Sequence, residues 1–354
     1  MHIRISTVLV LMAAILFGML LVGLNEVLLQ AHADTTIEYV SSDAATYFRL
    51  YKDVYEDADP TENISLFLIG IPILSMIITG GSLWAIQLFN LAVMALTLRC
   101  AMSTFGTMVA RLALLAGAIV FPYFLFGFLS LNKEIYAMCA ALFFGRYLVR
   151  GSLRALLFAL LLAMLARYYM FMTLLAMVFF FPRQRPPRYG LILAALLVIS
   201  ALAPIVKGMV PEYSSEDVKD VSGFTGLLFS TAIENFGYVL VYPVKYVALM
   251  PQRAYSVLLA SGRFGDYMEG VVSILSLAVF LPALWLLFMR RAGPAAQRLI
   301  VAGLVAPMPM MWSDIMHWRY YSYVYFFFLM ALVLHFIENR TAAQTGTGEV
   351  PEHA

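Results

Sequence analysis

Apolar runs of membrane-spanning length recur along almost the whole chain, and this repetition constrains the fold more than any motif does. Long segments rich in Leu, Ala, Met and Phe follow one another with few charges between them; 62% of the 354 residues are hydrophobic and only 12% are charged. A soluble core needs a polar surface to enclose it, and this composition does not supply one. The runs are continuous rather than alternating, which favours helices over a barrel, because a helix satisfies its own backbone hydrogen bonds in lipid. The expected fold class is therefore all-α: a polytopic membrane protein with a single domain over residues 1–340 and a disordered cytoplasmic tail at 341–354. Cys100 and Cys139 lie in apolar surroundings without metal-ligand spacing, so both read as packing residues. The net charge of +2 gives no reason to expect a nucleic-acid partner.

Charge placement sets the topology. Arg4, the stretch Arg183–Arg188 and the segment from Arg290 to Arg298 are the basic elements, and the positive-inside rule puts all three in the cytoplasm. Spans near 7–29, 83–101, 108–130, 135–149, 155–166, 168–181, 189–206, 271–288, 299–312 and 321–337 then give about ten crossings with both termini inside. The first run is longer than a secretory signal core, so it reads as an uncleaved helix despite Ala31-His32-Ala33 after it. Ile64–Thr79, which contains Pro72, is shorter than the roughly 20 residues of a span. It is expected as a re-entrant or juxtamembrane helix in the first external loop, 31–82; the second large external loop is 207–270. Arg167 interrupts the apolar run Ala155–Phe181. An arginine at mid-membrane costs several kcal/mol, so two short helices meeting at Arg167 are expected instead of one long span.

Charged and aromatic residues gather on the outer side of this topology: Asp43 in Ser42-Asp43-Ala44-Ala45-Thr46-Tyr47, then Asn132-Lys133-Glu134, Arg167, and the stretch Asp314–Tyr320. The order of Asp43, then Pro72, then Gly80-Gly81-Ser82-Leu83-Trp84-Ala85-Ile86-Gln87-Leu88-Phe89-Asn90 resembles the GT-C superfamily of polytopic glycosyltransferases. Asn132-Lys133-Glu134 followed by a helix pair tipped with Arg167 looks like a pattern found in bacterial polysaccharide-polymerising membrane proteins, including O-antigen polymerases. The resemblance implies a polyprenyl-phosphate- or diphosphate-linked sugar donor, a glycan or lipid acceptor, and chemistry on the outer face of a bacterial cytoplasmic membrane. It also implies that Asp43 is the functional acid of the first external loop.

On that basis Asp43 is the candidate general base, removing the acceptor hydroxyl proton, with Glu134 and His317 as further catalytic candidates. Lys133, Arg167 and Arg319 are candidates to hold the carrier phosphate, because a leaving phosphate needs cations where its charge develops. Glu134 would equally serve by pairing with Lys133 or Arg167 and orienting it. Tyr47 and Tyr320 belong to aromatic stretches suited to the interface or to a sugar. No cofactor or metal is assigned; the acids from Asp53 to Glu62 read as an exposed turn, with a divalent ion as the alternative. A repeat-unit polymerase is the alternative within the same chemistry, and a lipid-sugar flippase or transporter is the alternative of another class. Transporters usually pair broken helices at matching positions in two halves, and no such pairing is visible here.

Overall fold

The structure is a computed structural model and describes residues 74–75, 77–78, 80, 83–127, 133–182, 185–209, 254, 264–308 and 321–338. Among these residues it is all-α, without strands. Most of both expected external loops, including the greater part of the Ile64–Thr79 helix, lies outside the described residues. Two helical stretches, Ala85–Met102 and Gly270–Phe288, are long and apolar enough to cross a membrane, and six shorter apolar helices accompany them. The chain divides into two compact units, residues 1–171 with 332–354, and residues 172–331.

The first unit contains α1 (Leu83–Met102), α2 (Met108–Val120), α3 (Pro122–Gly127), α4 (Lys133–Arg150) and α5 (Leu153–Ala166). The next helix, α6 (Tyr168–Phe180), starts in this unit and runs on into the second. A π-helical turn, Val333–Glu338, returns to pack on α2. The centre of the unit is α4, in which every residue from Glu134 to Gly145 is buried. A helix covered on all sides is a core helix, and its neighbours must supply the outward surface. The neighbouring α5 does so by sorting side chains by size. Ala155, Ala159, Ala163 and Ala166 are buried, with Leu162 the one large residue beside them, whereas Leu153, Leu157, Leu161 and Met164 are exposed. Spacings of three and four put each set on one helix face. Small residues at the contact let the α4 and α5 backbones approach closely, as helices in lipid commonly do.

The hairpin between α4 and α5 turns on Gly151, at φ 64°, followed by Ser152. The Gly151 amide donates to the Tyr147 carbonyl at 2.8 Å, and the Ser152 hydroxyl caps α5 by accepting from the Ala155 amide at 3.4 Å. By contrast α1 and α4 run parallel and in register. Tyr136 to Asn90, Arg146 to Cys100 and Arg150 to Thr104 are all hydrogen bonds across the same separation of 46 residues. A constant offset over the length of α4 is possible only if both helices point the same way.

Two breaks depart from uniform spans. The expected continuous span at 108–130 is instead α2 and α3, separated by Phe121 in an extended conformation (φ −79°, ψ 109°). The cause is Pro122, whose ring disfavours helical backbone at the preceding residue. At Arg167 the expected break is present: the residue is extended (φ −156°, ψ 114°) and its amide donates to the Ala163 carbonyl at 2.7 Å to close α5.

The second unit contains α7 (Tyr189–Met209), α8 (Phe264–Phe288), α9 (Pro294–Val305) and α10 (Val324–Leu332). The expected start of a span at 271 is met seven residues earlier, at Phe264, and α9 starts at Pro294 rather than at 299. Proline suits a first helical position, since its missing N–H has no intrahelical partner there. Arg298 therefore lies within α9 at 6% exposure, and the basic turn before α9 is formed by Arg290 and Arg291. Every residue of α10 from Val324 to Ala331 is buried. Its approach to α9 is so close that a Cβ on Gly303 would lie 2.8 Å from Cε1 of Phe328. The Tyr323 hydroxyl donates to the Ala306 carbonyl at 3.0 Å at one end of this contact.

Candidate functional site

The antiparallel α4–α5 hairpin brings the start of α4 beside the end of α5, which is where Glu134 and Arg167 lie. Arg167 Nη2 donates to Glu134 Oε1 at 2.5 Å, and the two side chains are only 10% and 4% exposed. Glu134 stands in the first turn of α4, where the helix dipole favours a negative charge. Arg167 projects from the extended residue between α5 and α6, so the break that interrupts the apolar run also presents the guanidinium. Arg167 Nη1 donates to the Tyr169 hydroxyl at 2.5 Å, and its Cζ lies 5.8 Å from the centre of that ring.

Next to this pair, α1 contributes two buried amides. Asn90 is buried and accepts a hydrogen bond from the Tyr136 hydroxyl, half a turn along α4 from Glu134. Gln87, one turn earlier on α1, is also fully buried, and the constant offset places it level with Lys133. Thr97 continues the same face, buried, with its hydroxyl donating to the Val93 carbonyl at 2.7 Å. Gln87 and Asn90 belong to the Gly80–Asn90 stretch of the GT-C resemblance and were not among the residues expected to act. The available signal was their spacing, since residues 87, 90 and 97 repeat on one face of a helix.

Of the residues expected to act, the structure brings together Glu134 and Arg167, with Lys133 as the half-buried first residue of α4. Asp43, Tyr47, His317, Arg319 and Tyr320 lie outside the described residues. The acidic stretch of the first loop contains two aspartates in Asp-x-Asp spacing, Asp57-Ala58-Asp59. It too lies outside the described residues.

A buried carboxylate and guanidinium offset part of each other's desolvation cost in apolar surroundings. The planar fork of arginine also suits two oxygens of a phosphate. No known protein family, curated protein or solved structure matches this chain.

Proposed function

We propose that the chain is a polytopic membrane glycosyltransferase of the GT-C kind, which moves a sugar from a polyprenyl-phosphate or -diphosphate carrier to an acceptor at the outer face of a bacterial cytoplasmic membrane. The observation that carries this reading is the Glu134–Arg167 pair, two opposite charges buried against apolar helices at the point where the chain breaks between α5 and α6. Ionisable groups inside a membrane domain are expensive and mark functional sites. The size sorting on α5, small residues inward and large apolar residues outward, supports the membrane setting.

In this reading Arg167 binds the carrier phosphate and stabilises the charge that develops on it as the glycosidic bond breaks. Glu134 is a positioning residue. It accepts from Arg167 Nη2 and fixes the plane of the guanidinium. Asp43 removes the acceptor hydroxyl proton while the acceptor oxygen bonds to the anomeric carbon and the phosphate departs. The multi-pass topology of about ten spans, both termini inside, places Asp43 and Glu134 on one side and the basic turns on the other.

The test uses the purified chain in lipid nanodiscs with a radiolabelled polyprenyl-phosphate sugar. Asp43→Asn is expected to retain donor binding and to lower turnover by about 10²-fold or more, the usual contribution of general-base assistance. Arg167→Lys is expected to weaken donor binding and turnover together, because a point charge does not replace a bidentate fork. Failure of the wild-type chain to bind the donor would overturn the proposal. Binding and transbilayer movement of the donor without cleavage would replace it with a flippase.

A further inference from the structure

At the end of the first unit remote from Glu134, the turn between α1 and α2 is surrounded by arginines. Arg146 Nη1 donates to the Cys100 carbonyl at 2.7 Å and also to the Ser103 hydroxyl. Arg150 donates to the Thr104 carbonyl from Nε at 2.8 Å and from Nη2 at 2.5 Å. Arg111 donates to the Phe105 carbonyl from Nε at 2.8 Å and to the Gly106 carbonyl from Nη2 at 3.3 Å. Arg99 stands in the last turn of α1 and Arg154 in the first turn of α5, directly across the Gly151-Ser152 hairpin from Arg150. Both are exposed.

Carbonyl oxygens orient these guanidiniums and carry no net charge, so they do not neutralise them. In α1, α2, α4 and α5 the only carboxylate is Glu134. It lies 12 positions before Arg146 along α4, about 18 Å at the helical rise, and is already bound to Arg167. Five positive charges thus share one end of these four helices, none of which carries an acid there; the other acid among the described residues of this unit is Glu338, at the end of the π-helical turn that packs on α2. Large apolar side chains within four residues of these arginines are exposed: Leu96 beside Arg99, Val109 and Leu112 beside Arg111, Leu153 and Leu157 beside Arg154.

We propose that this end of the unit is a binding site for the headgroup phosphate of an anionic phospholipid, seated between Arg99, Arg150 and Arg154 with its acyl chains along the exposed apolar faces. The adjoining apolar surface favours a lipid over a free anion, since soluble phosphate would have no use for it. Basic clusters between membrane helices on the cytoplasmic side bind such headgroups. The inference rests on the membrane setting proposed above and is independent of the transfer chemistry.

The experiment is native mass spectrometry of the full chain carried in nanodiscs of phosphatidylcholine with added phosphatidylglycerol. Recovery of the chain in the membrane fraction is checked first, and its absence there would overturn the membrane setting itself. Wild type is expected to retain phosphatidylglycerol in preference to phosphatidylcholine. The double variant Arg99→Gln/Arg154→Gln, at exposed positions that do not hold the turn, is expected to bind phosphatidylglycerol about 30-fold more weakly, each arginine near an anionic surface contributing about fivefold. An unchanged melting temperature shows that the variant is folded. Equal retention of the two lipids by wild type, undiminished retention by the folded variant, or displacement of the lipid by millimolar inorganic phosphate would each overturn the proposal.

Discussion

Replacing Glu134 alone would leave the Arg167 guanidinium, 10% exposed, without its carboxylate in apolar surroundings. At the pair's 2.5 Å contact the charge centres are about 4 Å apart, which corresponds to about 4 kcal/mol of attraction at an effective dielectric of 20. Breaking a buried pair by removing one partner typically costs about 3–5 kcal/mol, and replacing both partners with apolar residues is often close to neutral. Glu134→Leu and Arg167→Met should therefore each destabilise the chain by about 3–5 kcal/mol, whereas the double variant should lie within about 1 kcal/mol of wild type. Reversible unfolding in mixed micelles, read by tryptophan fluorescence, measures the cycle. Donor binding by the double variant gives a second readout, and it should be lost although the protein is folded. Additive single-variant costs, or singles within about 0.5 kcal/mol of wild type, would refute the buried pair. A double variant that still bound donor would make Arg167 a structural group.

Three further outcomes are expected. In a background of Cys100→Ala and Cys139→Ala, an impermeant maleimide added from outside should label Asp43→Cys and leave Arg185→Cys unlabelled, and the reverse pattern would overturn the topology. Gly303→Ala should lower stability by about 1–3 kcal/mol, because its new Cβ would meet the Phe328 ring at 2.8 Å; adding Phe328→Leu should recover part of the loss, and an unchanged melting temperature would contradict the close approach. Tyr136→Phe removes the donor to Asn90 and should cost about 1 kcal/mol in the same unfolding assay, with no change indicating that α1 and α4 do not meet there.

What was legible in the sequence follows from how local each cause is. Apolar runs located the described helices, and the cost of a charge in an apolar run was enough to anticipate the break at Arg167 and its possible pairing with Glu134. That pairing depends on a hairpin with arms of similar length, 133–150 and 153–166, which sequence spacing carries. The break at Phe121 was equally local, since Pro122 was in view, but the surrounding hydrophobicity concealed it. The early start of α9 was hidden in the same way, because Arg298 looked like a loop residue and is a buried helical one. The arginine-lined turn was not legible, because it gathers residues from four helices. Arg99 and Arg111 could be assigned to one turn by proximity, but nothing local shows that Arg146 and Arg150 reach it from α4. The amides on α1 were visible as residues and not as a face, since their partner Tyr136 lies 46 positions away.

The shared offset between α1 and α4 makes the two helices a keyed shaft. Tyr136 locks to Asn90 near one end, and Arg150 locks to Thr104 near the other, about 21 Å away along α4. Sliding α4 by one residue would advance it 1.5 Å and rotate it by about 100°, releasing both locks at once. Small displacements along this shaft are therefore opposed at both ends together. Away from this shaft the backbone leaves helical geometry at the extended residues Phe121 and Arg167. One of those two breaks carries the guanidinium itself, so the residue that ends α5 and the positive charge of the buried pair are the same.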